Sequence, residues 1–318
     1  MGGATKAGTA GTKKVLEMTN QLRAVWSLWT KPLTAGLSNW ASELHHLYGW
    51  ILSVETATKH YPHTALYTDD TGARLLVDEL GLRFEHVSTA LNALDSHDPN
   101  WWAFGKMYTY RLQSEPFVHI DSDVFLWRPL PAWLADADLL VQNPESVPVG
   151  RSWYYPENVN CAIYSVRGWI PEELDTYIAV GGIHRALCSG ILGGNRCDFI
   201  QYYADLGISM MEHPANKAAW ARLRDRRTLT LIFEQYLLAA CIEYHRHKTG
   251  SPFYNLDLRC LFESESEAFR MAPQLGYTHL HAAKRDQRSL HRLELRIRTD
   301  YPEYYERCLV RTARQTAS

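Results

Sequence analysis

Apolar residues in the first 127 positions follow two alternating patterns. Short, almost continuously apolar runs predict strands, at residues 22–30, 64–70, 83–89 and 116–127. Longer segments with apolar residues at helical spacing predict helices, at residues 39–62, 73–82 and 101–113. Because runs that are apolar on both faces alternate with helices, the pattern indicates a mostly parallel central sheet flanked by helices. We therefore expect one large α/β domain.

The pattern is less regular after residue 127. Apolar runs predict strands, at residues 137–144, 159–168 and 277–286. Helical spacing predicts two helices that each end at a glycine, at residues 197–207 and 229–250. The last segment, residues 288–314, has a helical pattern and is rich in arginine, which is typical of a solvated helix face.

Composition excludes several classes of protein. The chain has 318 residues, 46% of them hydrophobic, and a formal net charge of −2, which argues against a general binder of nucleic acids or anionic membranes. No run approaches the ~18 apolar residues of a membrane span. Residues 1–20 are polar and lack the apolar core of a signal peptide, so we expect a disordered extension. The six cysteines form no CxxC pair, and we expect reduced thiols in a cytoplasmic protein.

Four acidic side chains follow predicted strands: Asp69, Asp70, Asp121 and Asp123. Polar residues at the carboxyl ends of parallel strands usually line the ligand crevice. Asp121 and Asp123 stand at positions i and i+2, which places both on one face of a regular strand. Such carboxylates repel each other unless a cation neutralises them, and oxygen ligands suit Mg²⁺ or Mn²⁺. The alternative is a strand-end turn with solvated acids.

The stretch "FVHIDSDVF" comes after an α/β half and resembles the DxD element of GT-A glycosyltransferases, whose first half binds a nucleotide. The likeness is closest to the metal-dependent, largely retaining families. It extends to three later segments in the same order, "ENVNCAIYSV", "FEQYLLAA" and "THLHAAKRD". The resemblance implies a Rossmann-like GT-A domain over residues 21–287, with a nucleotide-binding half (21–125) and an acceptor and catalytic half (126–287). A basic helical segment, residues 288–318, would follow.

The resemblance also implies roles for particular residues. Glu234 and Gln235 would stand at the reacting centre, and Asp121, Asp123 and His279 would hold the metal ion. Ala282 replaces the family's glycine, which leaves the choice between His279 and His281 open. The donor would be held by a further set of residues: Trp26, Ser27, Asp69, Lys106, Ser122, Asn160, Gly193, Gly194 and Lys284. Trp29 is an alternative to Trp26 for stacking on the base; both could instead be core residues, and a helix cap would explain Asp69 equally well.

The function expected from this resemblance is transfer of a sugar from a nucleotide-sugar, with a UDP-sugar as donor. The acceptor would be the hydroxyl of a saccharide, peptide or small molecule, transfer would retain configuration, and a homodimer is conceivable. One alternative is a catalytically inactive GT-A-like binding or scaffold protein. The other is a haloacid-dehalogenase-type phosphatase with Asp121 as nucleophile; there the DxD strand normally opens the fold, whereas here some 90 ordered residues precede it.

Overall fold

The strands of the molecule form a central sheet and a small second sheet. The computed structural model describes residues 22–148, 154–180 and 183–316. Its strands are β1 (Arg23–Leu28), β2 (Thr64–Thr68), β3 (His86–Ser88), β4 (Phe117–Ile120), β5 (Val124–Leu126), β6 (Leu139–Pro148), β7 (Ile183–Gly194), β8 (Leu258–Cys260) and β9 (Tyr277–His279). Seven of them form one sheet in the order β3-β2-β1-β4-β7-β6-β8, and β5 pairs with β9 in the other. Only β7 runs antiparallel to its neighbours in the large sheet, β4 and β6.

Helices cover both faces of this sheet. They are α1 (Lys31–Thr34), α2 (Glu43–Ala57), α3 (Asp70–Ala73), α4 (Phe104–Arg111), α5 (Pro156–Ser165), α6 (Glu172–Ala179), α7 (Cys197–Glu212), α8 (Lys217–Arg222), α9 (Arg226–Leu231), α10 (Leu237–His247), α11 (Glu265–Leu275), α12 (Gln287–Asp300) and α13 (Pro302–Thr316). Two π-helical segments, Arg74–Glu79 and Ile232–Tyr236, extend α3 and join α9 to α10. The predicted α/β architecture with a mostly parallel sheet is therefore confirmed.

Each face of the sheet has its own apolar core. On one face, Met107 of α4 and Phe199 of α7 belong to a buried cluster with Phe233. On the other face, Trp50 of α2 packs in a cluster that includes Ile297 of the C-terminal helix α12. The arginine-rich C-terminal segment therefore contributes to the core of the domain through its apolar stripe, while most of its arginines remain outside.

The acidic stretch differs from the continuous strand expected at residues 116–127. The chain leaves the central sheet after Ile120 and re-enters strand geometry at Val124, now in the small sheet. Between them the Val124 N–H donates to the Asp121 carbonyl at 2.9 Å, which closes a tight turn. Asp121 and Asp123 therefore do not share one face of a regular strand, and their convergence has a different cause, given below.

The strand expected at residues 159–168 is wrong. Residues Pro156–Ser165 form helix α5, with Pro156 at the first helical position, where its missing N–H costs nothing. Val159, Ala162 and Ile163 are buried at the i, i+3, i+4 spacing of a helix face, a pattern hidden in the apolar run. The strand that pairs with β4 in this half of the molecule is instead β7, which the sequence pattern did not reveal.

The glycine at position 207 does not end a helix, although this was expected. Helix α7 continues through Gly207 to Glu212. A Cβ at Gly207 would come within 2.7 Å of the Met107 side chain, so the missing side chain permits close packing between α7 and α4.

Three further expectations concern the chain as a whole. None of the helices in the described part of the chain is long and apolar enough to cross a membrane. All six cysteines are free thiols, as expected, but only Cys188, Cys241 and Cys308 are buried. The disordered extension expected at residues 1–20 lies outside the residues that the structure describes.

Candidate metal centre

An irregularity in the central sheet creates the site. In the pairing of β6 with β7, Val141 is opposite Leu192 and Asn143 is opposite Cys188, so three residues of β7 face the single residue Gln142. Such bulges redirect side chains locally. The extra residues of β7 lie beside the acidic turn, where the Gly190 carbonyl accepts a hydrogen bond from the Asp121 N–H at 3.0 Å.

The Asp121 carboxylate pairs with a lysine from the interior of the domain. Its carboxylate pairs with Lys106 of α4, with 2.9 Å between Nζ and Oδ1. Lys106 also pairs with Glu234, which accepts a hydrogen bond from the Ser189 hydroxyl at 2.5 Å. Burial raises the pKa of Asp121 to about 6, although the Lys106 ammonium acts in the opposite direction. We call Asp121, Lys106, Glu234 and Ser189 the inner cluster.

The Asp123 carboxylate pairs with two residues from the C-terminal part of the chain. Lys284 Nζ lies 2.7 Å from Asp123 Oδ2, and His279 Nε2 lies 3.3 Å from the same oxygen. Burial alone would raise the pKa of Asp123, but Lys284 and His279 outweigh it and hold the pKa well below its usual range. We call Asp123, Lys284 and His279 the outer cluster.

Gln142 orients His279. The Gln142 carboxamide oxygen accepts a hydrogen bond from the Tyr277 hydroxyl at 2.6 Å and lies 2.7 Å from His279 Nδ1. Because an amide oxygen can only accept, Nδ1 carries the hydrogen, and Nε2 is the ring nitrogen that faces the carboxylates. Gly190 makes room for this arrangement, since a Cβ there would come within 2.4 Å of Gln142 Oε1 and 2.5 Å of His279 Nδ1.

These residues fit a divalent cation. Asp121, Asp123 and His279 each offer one ligand atom, and the three atoms lie within 4.8 Å of one another. Carboxylate oxygens with an imidazole nitrogen suit Mn²⁺ and also accommodate Mg²⁺. The geometry brings His279 to the carboxylates, whereas His281 packs against the His279 ring with 3.5 Å between the ring centroids.

Buried polar atoms near the carboxylates also point to a ligand. His119 Nδ1 and His46 Nδ1 are buried without a hydrogen-bond partner among the described residues, and both histidines line the cleft described below. His119 Nδ1 lies 3.7 Å from Asp121 Oδ1. Burial lowers the pKa of His46 to about 4 and that of His119 well below its usual value, so both imidazoles are neutral near pH 7.

A cleft of about 210 Å³ opens onto the two clusters. It is bounded by Ser27 at the end of β1, by Ser122 of the acidic turn and by Lys106 and Lys284. Its remaining walls are rich in aromatic side chains, including Trp29, Trp40, Trp50 and Trp102. The cleft therefore combines the ammonium groups of Lys106 and Lys284 with walls of aromatic side chains.

Several residues expected at the site lie elsewhere. Trp26 is fully buried and donates to Ser53, so no base can stack on it. Asp69 caps α3 by accepting from Gly72 and also accepts from Thr30, which supports the helix-cap alternative.

The expected sugar-contacting residues are also absent from the cleft. Asn160 lies on α5 and does not line it. Gly193 and Gly194 pair with Val118 and Phe117, at the end of β4 remote from Asp121. Gln235 accepts a hydrogen bond from Tyr154, while Glu234 lies behind Lys106.

Some residues of the site were missed by sequence reasoning. Gln142 is a polar residue inside an apolar run, and Ser189 and Gly190 interrupt another, which are the signals that could have drawn attention to them. His119 gave the same signal, as a histidine inside the apolar run of β4, whereas His46 is brought to the cleft by the fold alone.

The fold and these two clusters define an α/β protein with a candidate carboxylate–imidazole metal centre at the carboxyl end of a central strand. A family model described as a family of unknown function, DUF6734, matches residues 22–311, so the chain belongs to that family. No curated protein matches the sequence.

Proposed function

We propose that this protein is a metal-dependent glycosyltransferase of the GT-A class. It would move a sugar from a nucleotide-sugar, with a UDP-sugar as donor, to an acceptor hydroxyl. The observation that carries this proposal is the convergence of Asp121, Asp123 and His279 within 4.8 Å, beside a cleft that both aspartates line together with Lys106 and Lys284. This combination offers ligands for a cation and charges for a diphosphate in one place.

The charge balance of the two clusters favours such a ligand. Asp121, Asp123 and Glu234 contribute three carboxylates, against the two ammonium groups of Lys106 and Lys284. A bound Mn²⁺ or Mg²⁺ would stabilise the negative charge that develops on a leaving diphosphate. Asp121, Asp123 and His279 would hold this cation, and Lys284 would supply a further fixed positive charge next to it.

The aromatic walls of the cleft suit the rest of the donor. Trp29 and Trp40 both line the cleft, and Lys284 Nζ lies 5.8 Å from the centroid of the Trp40 ring. A flat base can stack on such a surface while its diphosphate points towards the lysines. Ser27 lies on the same wall and offers a hydroxyl to the ribose or the base.

Glu234 supports the site through its contacts with Lys106 and Ser189 and does not line the cleft. Its side chain is fully buried, pairs with Lys106 and accepts from Ser189, so an acceptor hydroxyl has no access to it. We therefore assign Glu234 to the positioning of Lys106 and Asp121. Transfer with retention is the narrower part of the proposal and rests on the sequence resemblance alone.

The direct test is an assay of sugar transfer and of donor hydrolysis with a panel of UDP-sugars and Mn²⁺. We expect release of UDP that stops on addition of EDTA and in Asp123→Ala. Glu115→Gln is a matched control, because the Glu115 side chain is 71% exposed. Activity that survives both EDTA and Asp123→Ala would contradict the proposal, and hydrolysis of a simple phosphate ester in place of UDP-sugars would favour a phosphatase.

A further inference from the structure

A second set of candidate metal ligands shares His279 with the acidic turn. Cys188, His279 and His281 each offer one ligand atom, and these three atoms also lie within 4.8 Å of one another. The set contains no ligand from the acidic turn. We propose that it is a separate site for a soft divalent cation, and that its physiological metal is Zn²⁺.

The chemistry of the donors points to zinc. Thiolate sulfur and imidazole nitrogen are the ligands that Zn²⁺ prefers, whereas Mg²⁺ and Mn²⁺ prefer carboxylate oxygen. The two sets therefore differ in kind: one joins His279 to the oxygen ligands of Asp121 and Asp123, and the other joins it to the sulfur of Cys188 and a nitrogen of His281.

The backbone at His281 is held in an unusual conformation. Its φ of +43° lies in the left-handed region, which is strained for a residue other than glycine. The result of this conformation is that the His281 ring packs against His279, with 3.5 Å between the ring centroids. Gln142 Nε2, at 3.3 Å from His281 Nε2, supports the ring in this position. Strain of this kind is typical of positions where a side chain must be aimed.

A cavity gives access to this site. It has a volume of about 200 Å³, and both histidines and Glu145 belong to its lining. Glu145 is hydrogen-bonded to the Cys188 thiol and accepts from the Tyr154 hydroxyl at 2.6 Å. A tetrahedral zinc ion needs a fourth ligand, and either this carboxylate or a water molecule from the cavity can supply it.

Binding replaces a proton by the metal. Burial raises the pKa of Cys188 well above its usual value, so the thiol carries its proton until the metal arrives. One sulfur–metal bond forms, the S–H bond breaks, and the proton leaves to solvent through the cavity. Because His279 belongs to both ligand sets, a cation bound by Cys188, His279 and His281 withdraws His279 from the acidic turn. This last consequence, inhibition by Zn²⁺, rests on the proposed function.

The site can be tested with Co²⁺, which replaces zinc and reports thiolate coordination through a charge-transfer band in the near ultraviolet. Titration of the purified protein with Co²⁺, without nucleotide, is expected to produce this band with one equivalent. The band should disappear in Cys188→Ser, weaken strongly in His281→Ala and persist in Asp121→Asn. Cys161→Ser is the matched control, because Cys161 is exposed and belongs to neither set of candidate ligands.

Absence of the band in the wild-type protein would overturn the proposal, and so would a band that survives Cys188→Ser. If Cys188→Ser does not fold, His281→Ala decides the question, because the His281 side chain is exposed. A band that persists in His281→Ala at wild-type strength would then contradict the site. Asp121→Asn separates the two proposals, since loss of the glycosyltransferase activity with an intact cobalt band would leave the zinc site standing.

Discussion

The inner and outer clusters hold neighbouring aspartates of one turn by different means. The inner cluster pairs Asp121 with Lys106, whose side chain is only 10% exposed and also contacts the fully buried Glu234. The outer cluster pairs Asp123 with Lys284, which is 20% exposed and lies on the short 3₁₀ segment His281–Arg285. Of the two carboxylates, Asp121 is 22% exposed and Asp123 only 3%. Because Lys106 joins two carboxylates and is the less exposed lysine, we expect stability to depend more on Lys106 than on Lys284.

The largest expected effect is loss of the cation in Asp123→Asn. This change removes a ligand from the outer cluster without removing volume, and leaves Lys106 paired with Asp121. Since loss of supporting residues around a metal alone costs ~10–100-fold in affinity, we expect Mn²⁺ affinity to fall by at least ~100-fold. Isothermal titration with Mn²⁺ measures this, with Asp70→Asn as a control on an exposed acid. A fall of less than about threefold would contradict the ligand assignment.

Replacement of each lysine by methionine compares the two clusters directly. Lys106→Met leaves two buried carboxylates without their cation, and such a loss costs ~3–5 kcal/mol of unfolding free energy. Lys284→Met leaves one buried carboxylate, which His279 still contacts, and we expect a smaller loss of ~1–3 kcal/mol. Urea denaturation of both variants gives the two values. Equal losses would show that the two clusters do not differ as described.

A smaller effect is expected for Gly190→Ala. The added Cβ would come within 2.4 Å of Gln142 Oε1, so Gln142 and His279 must shift. We expect Mn²⁺ affinity to fall by ~10–100-fold, as for other residues that orient a metal ligand. Gly36→Ala is a control for backbone strain alone, because Gly36 has open space around it but a φ of +73°, whereas Gly190 has no positive φ. Unchanged affinity in Gly190→Ala would show that Gln142 does not orient His279.

The smallest expected effect is the dependence of Mn²⁺ affinity on pH. The pKa of Asp121 is raised to about 6, above its unfolded value of 3.8, so protons compete with a cation for this carboxylate below pH 6. We expect Mn²⁺ affinity to fall by about tenfold between pH 7 and pH 5. The same shift means that Asp121 destabilises the fold above pH 6, and that this contribution is relieved as the pH falls through 6 towards 4. Asp121→Asn should remove the contribution; an identical pH profile in this variant would contradict it.

Sequence reasoning located the parts of the site that lie on local patterns. Asp121 and Asp123 were recognisable as acids after an apolar run, and His279 and Lys284 by resemblance to a motif. The division into two clusters was not predictable, because Lys106 and Glu234 lie 128 residues apart and meet only in the folded core.

The errors in the fold also have physical causes. Pro156 and the i, i+3, i+4 spacing after it indicate a helix, but the run of apolar residues at 159–168 resembled a strand. Strand β7 contains Ser189 and Gly190, which break its apolar pattern at the bulge that forms the site. The resemblance implied that Gly193 and Gly194 hold the donor. Gly193 instead permits close backbone packing, since a Cβ there would meet the Phe117 carbonyl at 1.9 Å.

The most direct measurement of the central claim is the thermal unfolding midpoint with UDP and Mn²⁺, each alone and together. If the acidic turn and the lysines form one site for a cation and a diphosphate, the two ligands together should raise the midpoint by more than the sum of their separate effects. The cooperative shift should be absent in Asp123→Asn and Lys284→Met. A midpoint that does not respond to any nucleoside diphosphate in the presence of Mn²⁺ would contradict the account.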